Sequence, residues 1–293
     1  MEKTLSEYLT LAKNIDALKC EPKLKVGILS SFTLNGLNEV LKVKCSDLGI
    51  QYQSYISGYN QYNQEILNSK SDLYKFSPDI TFLVIDIRNF LGENFYQPYK
   101  ISSNERKNLV KEKISEIKNI IQNFEKNSNS KLIITNFNIP FYSPSGIIES
   151  KSEFGFHEMI EDINRSLREI SRTHNSVYIF DFNRFVSKYG EKNIFDYRQF
   201  HVGDIQISFN FIPFFANELI GYIKPMTSKN KKCIVLDLDN TLWGGVIGED
   251  GFDGIELGHT SNGKAFVEFQ KELLSLWKEG IILAVNSKNN FDD

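Results

Sequence analysis

Apolar and polar positions alternate along the chain in blocks that predict strands and helices in turn. Short apolar runs rich in β-branched residues, which are typical of strands, occur at 23–32, 50–58, 78–87, 130–139 and 176–182. Between these runs apolar residues recur at helical spacing, as in the stripe of Val110, Ile114, Ile117, Ile121 and Phe124. Strands that alternate with helices over about 225 residues predict a mostly parallel, doubly wound α/β sheet.

Further helices are predicted on both sides of this long stripe. The N-terminal segment has Leu5, Tyr8, Leu9, Ala12 and Ile15 at helical spacing. Other helical patterns occupy 35–49, a region around 154–173 and a region near 208–223. Ser102 and Glu105 have the spacing of a capping box, which predicts that the long helix begins there.

A second, shorter α/β pattern follows a polar and basic segment. The segment 224–232, which contains a proline, separates the two patterns, and we predict domains over 1–225 and 226–293. The second pattern has a strand in CIVLDL (233–238), a strand in IILAVN (281–286) and a helix between them. Gly280 is well placed to end that helix.

Composition and charge narrow the classes of partner. The chain has 293 residues, a hydrophobic fraction of 41% and a net charge of -3. This balance offers no basic field for nucleic acid or for an anionic membrane surface. The cysteines, Cys20, Cys45 and Cys233, form no CxxC pair and suit a reducing compartment. No signal peptide and no run of about 18 apolar residues is present, so we expect a cytoplasmic protein.

Two carboxylates stand at the end of the apolar run KKCIVLDLD. Asp237 and Asp239 follow strand residues, and a charge there is costly unless it is paired or metal-bound. Ligands of open α/β sheets bind at the carboxyl ends of strands, and an extended backbone would point both side chains the same way. Carboxylates suit Mg²⁺. One carboxylate of such a pair can attack phosphorus while the other handles a proton.

The next predicted strand supports a phosphoryl-transfer site. The run LAVNSK ends in Ser287, whose hydroxyl can bond a phosphoryl oxygen at the equivalent edge. The alternative is that Asp-Leu-Asp-Asn-Thr only forms a turn with helix-capping chemistry. The apolar strand before the pair, Thr241 after it and Ser287 on the second strand together favour a site.

These residues carry a family resemblance. The stretch VLDLDNTLWGGVIGEDG, with the later GIELG and FQKELLSLWKEGIILAVNSKNN, resembles the FkbH-like branch (subfamily IIIC phosphatases) of the haloacid dehalogenase (HAD) superfamily. The DxDxT motif indicates the superfamily, and the longer match is specific to the branch. The resemblance implies an SGNH-hydrolase-like, flavodoxin-like domain followed by a partial HAD-like Rossmannoid domain. It also implies a Mg²⁺-dependent phosphatase or phosphotransferase that works through an aspartyl-phosphate.

The resemblance also implies roles for individual residues. Asp237 would be nucleophile and metal ligand, and Asp239 would be the general acid/base that lends its backbone carbonyl to Mg²⁺. Thr241 would position the substrate, and Ser287 would bind the phosphoryl group. The substrate would be a phosphorylated small molecule, since some members load a phosphorylated three-carbon acyl unit onto an acyl carrier protein. Many relatives have a cysteine before the motif serine where this chain has Asn286, which argues against a thioester there.

Two features of the HAD-like part complete the interpretation. The glycine-rich segment 243–258 suits a hairpin flap over the site, with Glu249 and Asp250 in its turn. The later lysine and acidic pair of the superfamily have no counterpart before Asp293. We therefore expect a C-terminally truncated, inactive chain in which the apolar faces of 233–238 and 281–286 are partly exposed.

The first domain offers a competing chemistry. An SGNH-type esterase needs a serine after the first strand, where Ser30 and Ser31 stand, and a late Asp-x-x-His. The late candidates, which lack that spacing, are Asp196, His201 and Asp204. We therefore expect Ser30, Ser31 and Thr33 to cap the following helix and His201 to be a loop residue. An SGNH-type esterase and a non-catalytic module that binds a carrier protein or a sugar stay as the alternatives.

Overall fold

The computed structural model describes residues 2–15 and 22–289. The chain divides into two compact units, Met1–Thr227 and Ser228–Asp293. Cys20, Asp292 and Asp293 lie outside the described residues. Within the described ranges, no helix is both long enough and apolar enough to cross a membrane.

The first unit is built on a five-stranded parallel sheet. Its strands are β1 (Lys23–Ser30), β2 (Gln51–Ile56), β3 (Ile80–Val84), β4 (Lys131–Thr135) and β5 (Val177–Phe180). All pairings are parallel, and the spatial order is β2-β1-β3-β4-β5. This is the flavodoxin-like order of a doubly wound sheet. The predicted fold class is therefore confirmed.

The helices of the first unit connect these strands. They are α1 (Leu5–Lys13), α2 (Leu37–Asp47), α3 (Tyr62–Leu67), α4 (Asp72–Phe76), α5 (Ile87–Leu91), α6 (Glu93–Tyr96), α7 (Ser103–Asn127), α8 (Phe156–Thr173), α9 (Phe182–Tyr189), α10 (Glu191–Ile194), α11 (Tyr197–Gly203) and α12 (Ile212–Met226). Two 3₁₀ turns span Pro98–Lys100 and Gly146–Lys151. The segment predicted as a linker at 224–232 begins inside α12, which includes Pro225 and ends at Met226.

The core lies on both faces of the sheet because successive strand residues point in opposite directions. Ile28 and Phe82 are partners in register and belong to a cluster that also contains α2, α9 and α12 side chains. Leu29 and Leu83 belong to a second cluster with α7 and α8 side chains. Fully burying each such side chain contributes roughly 1.5–3 kcal/mol. A strand buried on both faces reads as a continuous apolar run, as β3 does.

The second unit is a parallel strand pair connected through two helices. Its elements are β6 (Cys233–Leu236), α13 (Ile247–Gly254), α14 (Ser261–Lys278) and β7 (Ile282–Val285). Thr260 caps α14 by accepting from the Gly263 amide at 3.0 Å. Gly280 has φ of 94°, a left-handed conformation that ends the helix as the sequence predicted.

Apolar strand residues in the second unit are open to solvent. Val235, Ile282 and Val285 are 62%, 61% and 58% exposed. Two strands and α14 do not bury both faces of a parallel pair, which normally needs covering layers on each side. The predicted exposure of these faces is confirmed.

The capping box of α7 provides a test of the local interactions. The Ser102 hydroxyl accepts from the Glu105 amide at 3.3 Å, and the Ser102 amide donates to the Glu105 carboxylate at 2.7 Å. We expect Ser102→Ala to lower the free energy of unfolding of the first unit by about 1 kcal/mol, measured by urea unfolding with far-UV circular dichroism. The control is Ser115→Ala on the exposed face of the same helix. Equal effects of the two substitutions would contradict a stabilising cap.

Candidate functional site

The strand pair of the second unit brings the predicted site residues to one edge. β6 and β7 are parallel, with Leu236 opposite Val285 in register. The Asn286 amide donates to the Leu236 carbonyl at 2.8 Å, which extends the pairing by one residue. Asp237 and Ser287 both follow directly at this carboxyl edge, where ligands of open parallel sheets bind.

The backbone turns immediately after the strand. β6 ends at Leu236, the chain bends at Leu238, and Asn240 has φ of 55°. The strand geometry used in the prediction therefore ends at Leu236, and the convergence of the Asp237 and Asp239 side chains stays a prediction. The two side chains have different surroundings. Asp237 is exposed, and its carboxylate accepts only from the neighbouring Leu238 amide, at 2.8 Å, among the described residues.

Asp239 is held by hydrogen bonds. Its Oδ1 accepts from the Trp243 indole at 3.0 Å and from the Ile247 amide at 3.1 Å. Burial acts to raise the pKa of Asp239, but hydrogen bonds from Ile247 and Trp243 and the approach of the Asn289 amide outweigh it. The pKa is lowered as a result, so Asp239 is a carboxylate at neutral pH. The Asn289 amide nitrogen is buried and reaches no partner within hydrogen-bond distance in the described part of the chain.

The flap, residues 243–258, contains two short helical turns that meet at a kink at Gly251, where φ is 69°, rather than a simple hairpin turn. Only one antiparallel bridge forms, between Gly244 and Glu256, with amide-to-carbonyl distances of 3.1 and 2.8 Å. Between them lies α13, which contains Glu249 and Asp250. The predicted hairpin turn is wrong because the Asp250 carboxylate accepts from the Val246 amide at 2.8 Å, which stabilises a helical start at that point.

The other two predicted residues lie beside this turn. The Thr241 amide donates to the Leu238 carbonyl at 3.2 Å. The Ser287 hydroxyl accepts from the Asn289 amide of the backbone at 3.4 Å. The roles of Thr241 and Ser287 in binding a phosphoryl group stay predictions.

The donors at this edge are compatible with Mg²⁺. No group of three or more His, Cys, Asp or Glu side chains converges on one point in the described ranges. Mg²⁺ keeps several waters and is often bound through one or two carboxylates together with substrate phosphates. Hard oxygen donors from Asp237 and Asp239 therefore fit such an ion without a larger cluster.

The serines of the first unit are not arranged as nucleophiles. Ser31 is 0% exposed, and its hydroxyl accepts from the Asp86 amide at 2.9 Å. The Ser30 hydroxyl accepts from the Phe32 amide at 3.1 Å. Neither residue caps α2, whose N-cap is Gly36, and the Thr33 hydroxyl donates to the Gly203 carbonyl instead. The predicted capping role is wrong because Ser31 and Thr33 bond to other loops and Ser30 bonds to the amide of Phe32.

The late candidates of the first unit have structural partners. Asp196 caps α11 by accepting from the Arg198 and Gln199 amides. Asp204 accepts from Tyr59 at 2.5 Å and from the Gln206 amide at 3.2 Å. His201 lies on α11, not in a loop. None of the three forms a hydrogen bond with Ser30 or Ser31 in the described ranges, so no esterase triad is assembled.

A cleft that sequence reasoning missed opens at the carboxyl edge of the first sheet. Its volume is about 260 Å³, and Asp86, Arg88 and Asn138 lie along it. Burial raises the pKa of Asp86 despite the ion pair with Arg88. The signal was available, since Asp86 follows β3 and Asn138 follows β4, as Asp237 follows β6. Asp86 and Asn138 follow apolar strand residues, so the sequence does not distinguish them from ordinary ends of buried strands.

The fold and these edges define a two-unit α/β protein with carboxylates where parallel strands end. The model of the FkbH N-terminal domain matches residues 25–224. The chain belongs to this FkbH family. A search of curated proteins finds no match.

One solved structure is similar over nearly the whole chain. It is the N-terminal part of the protein BF1531 from Bacteroides fragilis, described as containing a phosphatase domain complexed with Mg. The TM-score is 0.85 at 29% identity, over 98% of this chain and 74% of that one.

Esterases are more distant. The acetylxylan esterase Axe2 from Geobacillus stearothermophilus has a TM-score of 0.43 at 14% identity, over 68% of this chain and 94% of the esterase. The acetyl xylan esterase AlAXEase has a TM-score of 0.42 at 12% identity, over 68% and 100%. Similarity at this level says nothing about the activity of this chain.

The contacts of Asp239 predict that pH controls how firmly the flap is held. The Asp239 carboxylate accepts hydrogen bonds from Trp243 and Ile247 of the flap, and protonation would weaken them. In a Trp277→Phe background, where Trp243 is the remaining tryptophan, we expect Asp239→Ala to shift the emission of Trp243 to the red. A group with a lowered folded pKa stabilises its contacts above its unfolded pKa and loses them as pH falls through the folded pKa. The emission should therefore stay constant down through the ordinary aspartate range and change only below it. Asp253→Ala on α13 is the control. An unchanged spectrum in Asp239→Ala would contradict the prediction that Asp239 holds the flap.

The burial of the serines predicts that the first unit is inert toward serine reagents. We expect a fluorophosphonate probe to leave Ser30 and Ser31 unlabelled and short acyl esters to remain intact, because Ser31 is enclosed and bonds to no histidine among the residues that the structure describes. Mass spectrometry after exposure to the probe is the measurement. Stoichiometric labelling of either serine would show that an esterase site forms.

Proposed function

We propose that the chain carries the nucleophile of a Mg²⁺-dependent HAD-type phosphatase or phosphotransferase. The single observation that supports this most is the exposed carboxylate of Asp237 at the carboxyl end of β6, beside the end of β7. The similarity to BF1531, whose phosphatase domain is complexed with Mg, agrees with it. An exposed carboxylate at the end of a strand is accessible to a phosphate ester, whereas the enclosed serines are not.

The proposed reaction has two steps at Asp237. A carboxylate oxygen of Asp237 attacks phosphorus, and the bond from phosphorus to the leaving oxygen breaks, which gives an aspartyl-phosphate. The leaving oxygen takes up a proton. Water, or an acceptor hydroxyl, then attacks the phosphoryl group and releases Asp237.

Asp239 is the proposed general acid/base, and its hydrogen bonds set its protonation. In the observed arrangement the carboxylate is ionised and suits the second step, in which it removes a proton from water. Donating a proton to the leaving oxygen needs a higher pKa. Release of Trp243 and Ile247 would supply it, because loss of hydrogen bonds to the charged form favours protonation.

The metal and phosphoryl ligands complete the proposal. The Asp237 carboxylate and the Asp239 backbone carbonyl would hold Mg²⁺, which when bound offsets the negative charge of the phosphoryl group. Thr241 and Ser287 would bind and orient phosphoryl oxygens. The proposed substrate is a phosphorylated three-carbon acyl unit, loaded in the cytoplasm onto an acyl carrier protein, a partner suggested by FkbH family membership.

The nucleophile is tested by Asp237→Asn. In the natural protein we expect this change to abolish release of phosphate from an aryl phosphate and to abolish hydroxylamine-sensitive labelling by radioactive phosphate. Asp253→Asn is the matched control. Labelling that persists in Asp237→Asn would refute the covalent mechanism.

The general acid/base is tested by Asp239→Asn. This change keeps an acceptor oxygen for Trp243 and keeps the backbone carbonyl, so Mg²⁺ binding measured by calorimetry should remain. Turnover should fall by roughly 10²- to 10⁴-fold. A rate equal to that of the unmodified protein would remove Asp239 from proton transfer.

A further inference from the structure

The cleft in the first unit contains an amide that bonds to no other described residue. Asn138 is 7% exposed and lines the cleft, and its side chain forms no hydrogen bond with any residue in the described ranges. Nearby asparagines differ: the Asn136 amide donates to Asp181, and Asn164 bonds the Phe137 backbone at 2.9 and 2.7 Å. Both polar atoms of the Asn138 amide reach the solvent in the cleft. This amide is therefore available to a ligand that enters the cleft.

Arg88 presents oriented donors beside this amide. Its Nε donates to Asp86 at 3.0 Å, and its guanidinium lies 4.1 Å from the centre of the Phe200 ring. The side chain is only 13% exposed. The two Nη groups form no hydrogen bond to the protein within 22–289, so their protons are available to a ligand. Ion pairing and stacking fix the plane of the guanidinium before anything binds.

Exposed tyrosine rings surround the opening. Tyr96, Tyr142 and Tyr197 line the cleft and are 57%, 70% and 59% exposed. Rings left in water at the edge of a cleft offer flat apolar faces at low cost in conformational entropy. They suit a ligand with an apolar face as well as polar groups.

The charges at the cleft exclude two ligand classes. Asp86 and Arg88 neutralise each other. Glu191 adds a negative charge at the edge, which disfavours an anion. The Nη groups of Arg88 only donate hydrogen bonds, so they offer no acceptor to a cationic ligand. The other titratable groups of the lining are His201 and the tyrosines Tyr96, Tyr142 and Tyr197. The remaining class is a neutral ligand whose groups both donate and accept hydrogen bonds.

We propose that this cleft binds a neutral saccharide. Adjacent sugar hydroxyls both donate and accept, which matches the paired donor and acceptor of Asn138 and the Nη donors of Arg88. The C–H face of a pyranose ring matches the exposed tyrosines. A cleft of about 260 Å³ has room for one sugar ring. This site lies within the first unit and does not depend on the proposed phosphatase function.

The binding test uses saturation-transfer NMR on the intact chain. The neutral probes are the methyl pyranosides of glucose, galactose, mannose and xylose, each at about 10 mM, where a site with millimolar affinity is mostly filled. We expect ring C–H signals with at least one of them and at least tenfold weaker binding of glucuronate and choline. Tyr197→Ala should abolish the signal, and Tyr178→Ala, an exposed tyrosine on β5, should keep it. Silence from all four probes, equal binding of a charged probe, or a signal that survives Tyr197→Ala would overturn the proposal.

A stability comparison separates a ligand role from a structural one. We expect Asn138→Leu to abolish sugar binding and to leave the melting temperature unchanged or higher, because the amide has no protein partner. Asn164→Leu removes two buried hydrogen bonds and should lower the melting temperature by several degrees. If Asn138→Leu destabilises the protein as much as Asn164→Leu does, Asn138 serves the fold and the proposal is overturned.

Discussion

Parallel pairing of strands is the constraint on which the rest of this protein depends. Parallel strands bring all their carboxyl ends to one edge, and each strand must be buried on both faces. The first unit meets both conditions with five strands and a core on either side. In each unit, the residues that follow the strands, such as Asp86 after β3 in the first and Asp237 after β6 in the second, therefore lie at the carboxyl edge of that unit's own sheet. The backbone no longer pairs with a neighbouring strand at these positions, so their side chains are free to bind or react with a ligand.

The two carboxylates of the second unit have different hydrogen-bond partners. A bend at Leu238 leaves Asp237 open to solvent and turns Asp239 toward the flap. The hydrogen bonds that lower the pKa of Asp239 also hold Trp243 and Ile247. The proton affinity of the Asp239 carboxylate is thus coupled to the position of the flap. A carboxylate that accepts several hydrogen bonds favours its charged form, so opening and protonation should occur together.

Buried polar groups in the first unit fall into two kinds. Asn136, Asn164 and Ser31 have partners within the protein, so they join loops across the sheet edge. Asn138 and the Nη groups of Arg88 have no such partner among the described residues and lie in the cleft. Groups of the first kind stabilise the fold. Groups of the second kind reach the solvent of the cleft, so they are available to a ligand.

The sequence by itself determined the order of strands and helices, the capping box at Ser102 and the helix end at Gly280. These depend on local spacing and on the conformation of single residues. It also identified Asp237, Asp239 and Ser287 as candidates, since the residues after an apolar strand must lie at a sheet edge. The tertiary structure alone decided what those side chains contact. The helix within the flap, the enclosure of Ser31 by the β3 loop and the unpartnered amide of Asn138 all depend on residues distant in sequence. Hydrogen bonds between loops leave no periodic pattern along the chain, so only the folded structure reveals them.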